Sequence, residues 1–151
     1  MSHHPLVAPD WIRGITIRQP WTTCILTGAK TIENRPRPWS WRGWLLLHSS
    51  QRIDTPALRD PLVARTIHGR HLHTGVVLGA ARLTACHQDP DNAPPCNPWA
   101  HPGSQHLVLT DIQELPRPVP VSGALGPWKP TQDLVDQVLL QLPHLRPLAA
   151  S

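Results

Sequence analysis

Residues 28–35 read Gly28-Ala29-Lys30-Thr31-Ile32-Glu33-Asn34-Arg35 and bring a lysine, a glutamate and an arginine within six positions. The two charged residue types Lys and Glu are rare in this chain, which has two lysines against twelve arginines and two glutamates against eight aspartates. An ammonium is a compact charge whose pKa shifts readily, whereas a guanidinium stays charged. The bias suggests that position 30 requires an amine and position 33 a longer carboxylate.

The residues on either side of Lys30 predict a helix followed by a strand. Trp21, Cys24 and Ile25 form one apolar stripe at helical spacing after Pro20, and Gly28 is suited to end that helix. The next residues, 31–35, are predicted as a strand in which side chains alternate between two faces. Glu33 and Arg35 should therefore lie on one face, close enough to pair, with Lys30 at the corner.

The rest of the chain predicts an α+β fold that is mainly β. We expect strands at 11–18, 44–48, 75–85, 106–112 and 115–121, and helices within 54–70 and at 131–142. The 115–121 strand should be an edge strand, because three of its residues are prolines without an N–H donor. Residues 87–104 form a long Pro-, Asp- and Asn-rich loop, a length that is usually functional or mobile. Short mixed strands with many turns favour a small mixed β-barrel of five to six strands flanked by short helices.

The length and the charge of the chain limit the classes of protein to which it can belong. A chain of 151 residues is one domain by size, which we place at 11–142 between a disordered arm at 1–10 and a flexible tail at 143–151. The net charge of +4 favours polyanionic partners, nucleic acid above all. The first residues contain no apolar signal region and no apolar run is long enough to span a membrane, so we predict a cytoplasmic protein with no membrane contact.

The three cysteines raise the question of a metal. Cys24 lies on the apolar helical stripe and is predicted to be buried. Cys86, His87, Cys96 and His101 superficially suggest zinc, but their spacing fits no common zinc motif, which uses close cysteine pairs. We therefore predict no metal site, and no other cofactor.

A series of motifs in this chain resembles the ASCH family (activating-signal-cointegrator homology), in the order the family has them, across residues 13–130. The resemblance implies a PUA-like β-barrel with a cleft lined by the Gly-x-Lys-x-x-Glu-x-Arg element. PUA-like folds mostly bind RNA or modified nucleotides, and some ASCH proteins resemble nucleoside amidohydrolases or a ribonuclease. The motifs are Arg18-Gln19-Pro20-Trp21, residues 28–35, Arg42-Gly43-Trp44-Leu45-Leu46-Leu47-His48, Gly75-Val76-Val77-Leu78-Gly79, Gln105-His106-Leu107-Val108-Leu109, Leu115-Pro116-Arg117-Pro118-Val119-Pro120 and Gly123-Ala124-Leu125-Gly126-Pro127-Trp128.

One position departs from the enzymatic pattern. In the small amidohydrolase branch, which removes acetyl from N4-acetylcytidine, a lysine is followed three residues later by a threonine nucleophile. Here Glu33 occupies that place, and Thr31 is one residue from Lys30. The chain is more similar to the longer Gln-Pro-Trp branch.

The candidate site residues are polar or aromatic side chains of these motifs. Lys30 is a candidate for contacting a phosphate or base carbonyl, or for acting as a base, and Glu33 for accepting from an exocyclic amine, activating water, or pairing structurally with an arginine. Arg35 cannot release its proton and should orient Glu33 or bind phosphate. Arginines interleaved with tryptophans suit stacked bases and phosphates. The further ligand-binding candidates are Arg18, Gln19, Trp21, Trp39, Trp41, Arg42, His48, Ser49 and Lys129.

Three functions remain open from the sequence. The first is binding of RNA, or of a nucleotide or modified nucleoside, in the cleft. The second is hydrolysis of a modified nucleoside or RNA, with Lys30 and Glu33 as catalytic residues. The third is a protein-interaction module in transcription or RNA metabolism, docking partners along residues 115–121, although prolines blunt a strand edge. We expect a monomer in each case.

Overall fold

The computed structural model describes residues 9–145, which form a mixed five-stranded sheet flanked by short helices. The chain also has a short 3-10 helix, Thr55–Arg59. The strands are β1 (Ile12–Gln19), β2 (Ile32–Arg35), β3 (Gly43–Ile53), β4 (Val76–His87) and β5 (Gln105–Pro120). The helices are α1 (Trp21–Leu26), α2 (Pro61–Thr66) and α3 (Gln132–Gln141).

The strand order is β1-β3-β4-β5-β2. β1 runs parallel to β3, and the other neighbouring pairs are antiparallel. This confirms the predicted mainly-β fold with short helices. Within residues 9–145 no pairing joins β1 to β2, so the predicted barrel is an open sheet with these two strands at its edges.

The two strands predicted at 106–112 and 115–121 are one continuous strand, β5. At its middle the register against β4 shifts, and Asp111 takes a positive φ of 51°. Arg82 on β4 donates to the Asp111 carboxylate at 2.9 Å. A bulge of this kind bends a strand without ending it. Residues typical of a turn stand at this bulge, which is why the sequence pattern predicted two separate strands. β2 pairs with β5 only from Gln105 to Val108, so the proline-rich half of β5 has β4 on one side.

The sheet is covered on both faces. The Leu45–Leu47 run alternates between two apolar cores, because Leu46 packs with α3 while Leu45 and Leu47 pack with α1. The strand predicted at 44–48 is therefore buried on both faces. A smaller third cluster joins Cys24 of α1, Val63 of α2 and Trp99 of the long loop. Burial raises the pKa of the Cys24 thiol to about 11, in keeping with its predicted core position.

Both ends of the chain extend past the described part. Residues 1–8 of the predicted arm and residues 146–151 of the predicted tail lie outside the described residues. Leu145, which falls in the predicted tail, is buried in the core that α3 covers. None of the helices in residues 9–145 is long and apolar enough to cross a membrane.

Candidate ligand-binding cleft

A cleft of about 460 Å³ opens where the end of β1, the start of α1 and the whole of β2 meet. Its walls are mostly polar. The residues that line it are Thr16, Ile17, Arg18, Trp21, Lys30, Glu33, Asn34, Arg35, Pro36, Asp54 and His101. One of these walls is formed by the Lys30–Arg35 element. The sequence predicted this element on a strand beside a helix end, as it is found.

Lys30 enters the cleft wall because the helix before it stops sharply. Gly28 takes a φ of +86°, as a helix-ending residue does, and the Lys30 N–H donates to the Cys24 carbonyl at 3.2 Å. The Lys30 side chain is only 1% exposed. Its ammonium donates to the Ile32 carbonyl and, at 2.8 Å, to Glu33 Oε1. Lys30 is therefore a buried, hydrogen-bonded lysine and not a side chain in solvent.

Glu33 links the lysine to Arg35. Arg35 Nη2 lies 3.3 Å from Glu33 Oε2 and donates to the Thr16 carbonyl at 2.8 Å. Burial alone would raise the pKa of Glu33, but the charges of Lys30 and Arg35 and the bond from Lys30 hold it below its ordinary value of 4.5. Glu33 is therefore ionised at neutral pH. The Nε of Arg35 is enclosed and has no hydrogen-bond partner in the described part of the chain.

Aromatic rings frame this charged set. The Trp21 indole donates to Asp54 Oδ2 at 3.0 Å, and its ring centroid lies 5.8 Å from the Lys30 ammonium. The Arg35 guanidinium lies 5.5 Å from the ring centroid of Trp39. Both rings also pack against the apolar cores, so each places an aromatic face beside a cation at the edge of a core.

The long loop contributes the opposite wall. Asn34 donates from Nδ2 to the Trp99 carbonyl at 2.8 Å and accepts from the His101 N–H at 2.9 Å. These two bonds fasten residues 99–101 to β2 and bring the His101 ring edge-on to Trp21, with centroids 5.8 Å apart. Thr16, Asn34, Asp54 and His101 were not among the candidates. Of these four, only Asn34 could have been predicted from the sequence, because it lies inside the motif. The other three belong to other segments of the chain.

Five of the predicted site residues come together in the cleft: Arg18, Trp21, Lys30, Glu33 and Arg35. Arg18 is exposed at the rim. Among the described residues its guanidinium has no hydrogen bond or ion pair, so it is available to a ligand without breaking a contact.

The other candidates have structural partners or face elsewhere. Gln19 is fully buried, accepting from the Thr23 N–H and donating to the His73 carbonyl. Trp41 stacks with Arg13 and donates to the Trp44 carbonyl, outside the residues lining the cleft. Three others are also outside that set: Arg42, which donates to the Trp39 and Trp41 carbonyls; Ser49, which donates to the Val76 carbonyl; and Lys129, which is exposed.

His48 lies behind the cleft in a network that fixes its protonation. The Trp128 indole donates to Thr16 Oγ1 at 3.1 Å, so the Thr16 hydroxyl proton is free for His48 Nδ1, 3.2 Å away. His48 Nε2 then carries the hydrogen that it donates to the Val121 carbonyl at 2.7 Å. Burial lowers the pKa of His48 below 6.5, while the bond to Val121 acts in the opposite direction. The ring is thus neutral, and its hydrogen bonds hold neighbouring segments together and do not face the cleft.

Of the four residues that superficially suggested zinc, two meet in the structure and two do not. His87 and Cys96 lie with Asp89 and His106 in a group whose potential ligand atoms are all within 4.8 Å of one another. Cys86 and His101 are not members of that group.

The arrangement defines a small, mainly-β protein with a polar cleft in whose wall the amine of Lys30, the carboxylate of Glu33 and the guanidinium of Arg35 are joined by ion pairs. Such a cleft can donate to phosphate or carbonyl oxygens and can accept from amino groups. No family model matches the sequence, and no curated protein does.

The structure is similar to the crystal structure of the ASCH protein from Zymomonas mobilis, with a TM-score of 0.49 and 15% identity over 89% of this chain and 96% of that chain. It is also similar to a tyrosine-to-phenylalanine mutant of the Zymomonas mobilis protein, with a TM-score of 0.47 and 17% identity over 74% of this chain and 77% of that chain. At these identities the likeness concerns the fold alone. Membership of the longer Gln-Pro-Trp branch stays a prediction.

Proposed function

We propose that this protein binds RNA through the cleft, with one nucleotide held beside Lys30, Glu33 and Arg35. The observation that carries the proposal is a buried, mutually oriented ammonium–carboxylate–guanidinium set inside a cleft of about 460 Å³, with an unpaired arginine at its mouth. A free nucleotide or a modified nucleoside is a smaller ligand that offers the cleft the same kinds of chemical group.

The charges of the cleft support a phosphate at its rim and a base within. Arg18, Lys30 and Arg35 face two carboxylates, Glu33 and Asp54, so cationic groups are in excess. Arg18, exposed at the rim, is the donor left for phosphate oxygens. Deeper in the cleft, Glu33 can accept from a base amine while the indole of Trp21 offers a wall against which a base can pack.

The pairing of Lys30 with Glu33 bears on the hydrolase alternative. The Lys30 amine is already engaged with a carboxylate and a carbonyl, and a carboxylate whose pKa is lowered, as that of Glu33 is, makes a weaker general base. This observation favours binding, with Lys30 and Glu33 as recognition groups. For the hydrolase alternative, the catalytic role that remains to be tested is stabilisation by Lys30 of the charge that develops during the reaction.

The experiment is a titration of fluorescent single-stranded RNA at several salt concentrations, with wild type, Arg18→Ala and Arg117→Ala. Arg117 is exposed on β5 and lies outside the cleft, so Arg117→Ala removes the same charge as Arg18→Ala at a position away from the cleft. We expect Arg18→Ala to weaken binding and to reduce the slope of log K against log salt by about 0.7, the loss of one phosphate contact. Arg117→Ala should bind as wild type.

Two results would contradict the proposal. One is the absence of RNA binding by wild type at low salt. The other is equal weakening by both substitutions, because binding would then reside in the general positive charge. The same RNA is run on a denaturing gel after incubation. Cleavage that is lost in Lys30→Ala would move the conclusion from binding to hydrolysis.

A further inference from the structure

A second polar cluster lies where the long loop leaves and rejoins the sheet. His87 ends β4, and the strand register places it opposite His106 near the start of β5. Asp89 and Cys96 belong to the intervening loop. The two imidazole rings approach edge-to-face with centroids 5.4 Å apart. The cleft does not use these four side chains.

The distances within the cluster suit a four-coordinate metal. His87 Nε2 lies 3.2 Å from Asp89 Oδ1, His106 Nδ1 lies 3.6 Å from Asp89 Oδ2, and Cys96 Sγ lies 3.7 Å from His106 Nδ1. Tetrahedral zinc, with N, O and S ligands at about 2.0–2.3 Å, separates its ligand atoms by roughly 3.3–3.7 Å. These three distances fall close to that range, and all the potential ligand atoms lie within 4.8 Å of one another.

The hydrogen bond on the far side of His106 fixes which nitrogen is free. His106 is 1% exposed, and its Nε2 lies 3.0 Å from the His101 carbonyl, which can only accept. Nε2 must then carry the hydrogen, so in the neutral ring Nδ1 presents its lone pair to Cys96 and Asp89. A metal-binding histidine is typically oriented in this way, by donating its other N–H to a carbonyl.

A backbone donor also orients the carboxylate. The Cys96 N–H donates to Asp89 Oδ2 at 2.9 Å, which holds the carboxylate between the two imidazoles and carries the Cys96 thiol to the same point. The spacing His-x-Asp, then Cys, then His is no common zinc motif, and the prediction of no metal rested on spacing. Strand pairing, which spacing does not report, is what brings His106 beside His87.

We propose that His87, Asp89, Cys96 and His106 bind one zinc ion as a structural site. Two neutral imidazoles, a carboxylate and a thiolate are the nitrogen, oxygen and sulfur donors that zinc takes, and they balance its charge to zero. On binding, the Cys96 thiol loses its proton to solvent and the sulfur bonds to zinc, with no change of oxidation state. Four protein ligands fill a tetrahedron, so the ion ties the loop to the sheet.

Hydrogen bonds alone offer a different account of the same geometry. The Cys96 thiol can donate to His106 Nδ1, and a protonated His87 can pair with Asp89. In that account the cluster binds divalent metals no better than any surface histidine. Cobalt separates the two accounts, because Co²⁺ in a tetrahedral site with a thiolate ligand gives intense visible absorption and a sulfur-to-metal charge-transfer band.

The experiment titrates the full chain, stripped of metal by a chelator and kept reduced, with Co²⁺ and then displaces it with Zn²⁺. Wild type should bind one Co²⁺ per chain with the tetrahedral thiolate spectrum, and one equivalent of Zn²⁺ should abolish it. Cys96→Ser should remove the charge-transfer band, and His106→Gln should weaken binding by more than the roughly 100-fold that outer-shell changes can cost. The matched controls are Cys86→Ser, next to His87 but outside the cluster, and the exposed His68→Gln.

The metal stoichiometry of wild type keeps the test decisive even if a ligand variant does not fold. The proposal is overturned if wild type binds no stoichiometric Co²⁺ or Zn²⁺ at micromolar metal, or if its cobalt spectrum is octahedral. It is also overturned if Cys86→Ser removes the thiolate band while Cys96→Ser keeps it.

Discussion

At the scale of single residues, the burial of Lys30 explains why a lysine and a glutamate occur together in a chain that otherwise uses arginine and aspartate. An ammonium enclosed by protein costs several kcal/mol unless its hydrogen bonds are satisfied. Here one carbonyl and one carboxylate satisfy it over a span of three residues. The Glu33 carboxylate reaches Arg35 with its second oxygen. The rare residue types Lys and Glu therefore occur together because they form a local ion network, and not because they contribute to a charged surface.

This network predicts an unequal response to single and double substitution. Lys30→Met should reduce the free energy of unfolding by about 3–5 kcal/mol, because it leaves the buried Glu33 carboxylate short of a partner. The double variant Lys30→Met, Glu33→Leu should lose less than the sum of the two single losses. Urea unfolding followed by circular dichroism measures all three.

The other lysine supplies the control for this prediction. Lys129 is exposed, so Lys129→Met should change the free energy of unfolding by no more than about 0.5 kcal/mol. Equal effects of the two lysine substitutions would show that burial of Lys30 does not matter. Strict additivity in the double variant would show that Lys30 and Glu33 do not interact.

At the scale of elements, β1 is joined to the segment after β5 by a glycine. Gly14 and Trp128 exchange backbone hydrogen bonds of 2.7 and 3.0 Å, and the indole lies directly over the glycine. A Cβ at position 14 would lie 2.2 Å from the Trp128 ring. Gly14 lies on the same face of β1 as Ile12, which packs with Trp128 in one core, whereas Ile15 and Ile17 pack in the core on the other face.

Gly14→Ala should therefore reduce the free energy of unfolding by about 1–3 kcal/mol, the usual cost of overpacking. Its matched control is the same substitution in a Trp128→Ala background, where the ring is gone and the extra methyl group should cost far less. Urea unfolding of the four proteins gives this cycle. If Gly14→Ala costs the same in both backgrounds, the close approach of the indole is not the reason that position 14 is glycine.

Element patterns predicted local features well and long-range pairings poorly. Gly28 ends α1, and Glu33 pairs with Arg35 on β2, as predicted. Each of these depends on residues a few positions apart. The single long β5 was divided wrongly, since the bulge at Asp111 is defined only by its pairing with β4.

At the scale of the whole molecule, two buried groups make stability depend on pH. The folded-state pKa of His48 lies below 6.5, so as pH falls through that value the unfolded chain takes up a proton that the folded protein does not. The free energy of unfolding should then fall by up to about 1.4 kcal/mol per pH unit for one proton. Glu33, whose pKa is held below 4.5, adds a second loss as pH falls below that value.

Urea midpoints measured from neutral pH down to mildly acidic pH check the first loss. His48→Gln, which keeps an amide donor for the Val121 carbonyl, should show a smaller decrease between pH 6.5 and pH 4.5 than wild type does. Parallel curves for the two proteins would exclude His48 as the cause. A wild-type midpoint that stays constant down to pH 4.5 would contradict the buried neutral ring itself.

The sequence alone predicted most of the elements and the contents of the charged motif, because helix stops, strand alternation and caps are set by neighbouring residues. With the family resemblance, it also predicted Lys30, Glu33 and Arg35 as one wall of a site. Only the tertiary structure decided what faces that wall: Thr16, Asp54 and His101 come from segments that meet through sheet pairing and through the Asn34 bonds. The same physical reason brings His87 and His106 together, since strand register, and not distance along the chain, sets which side chains meet.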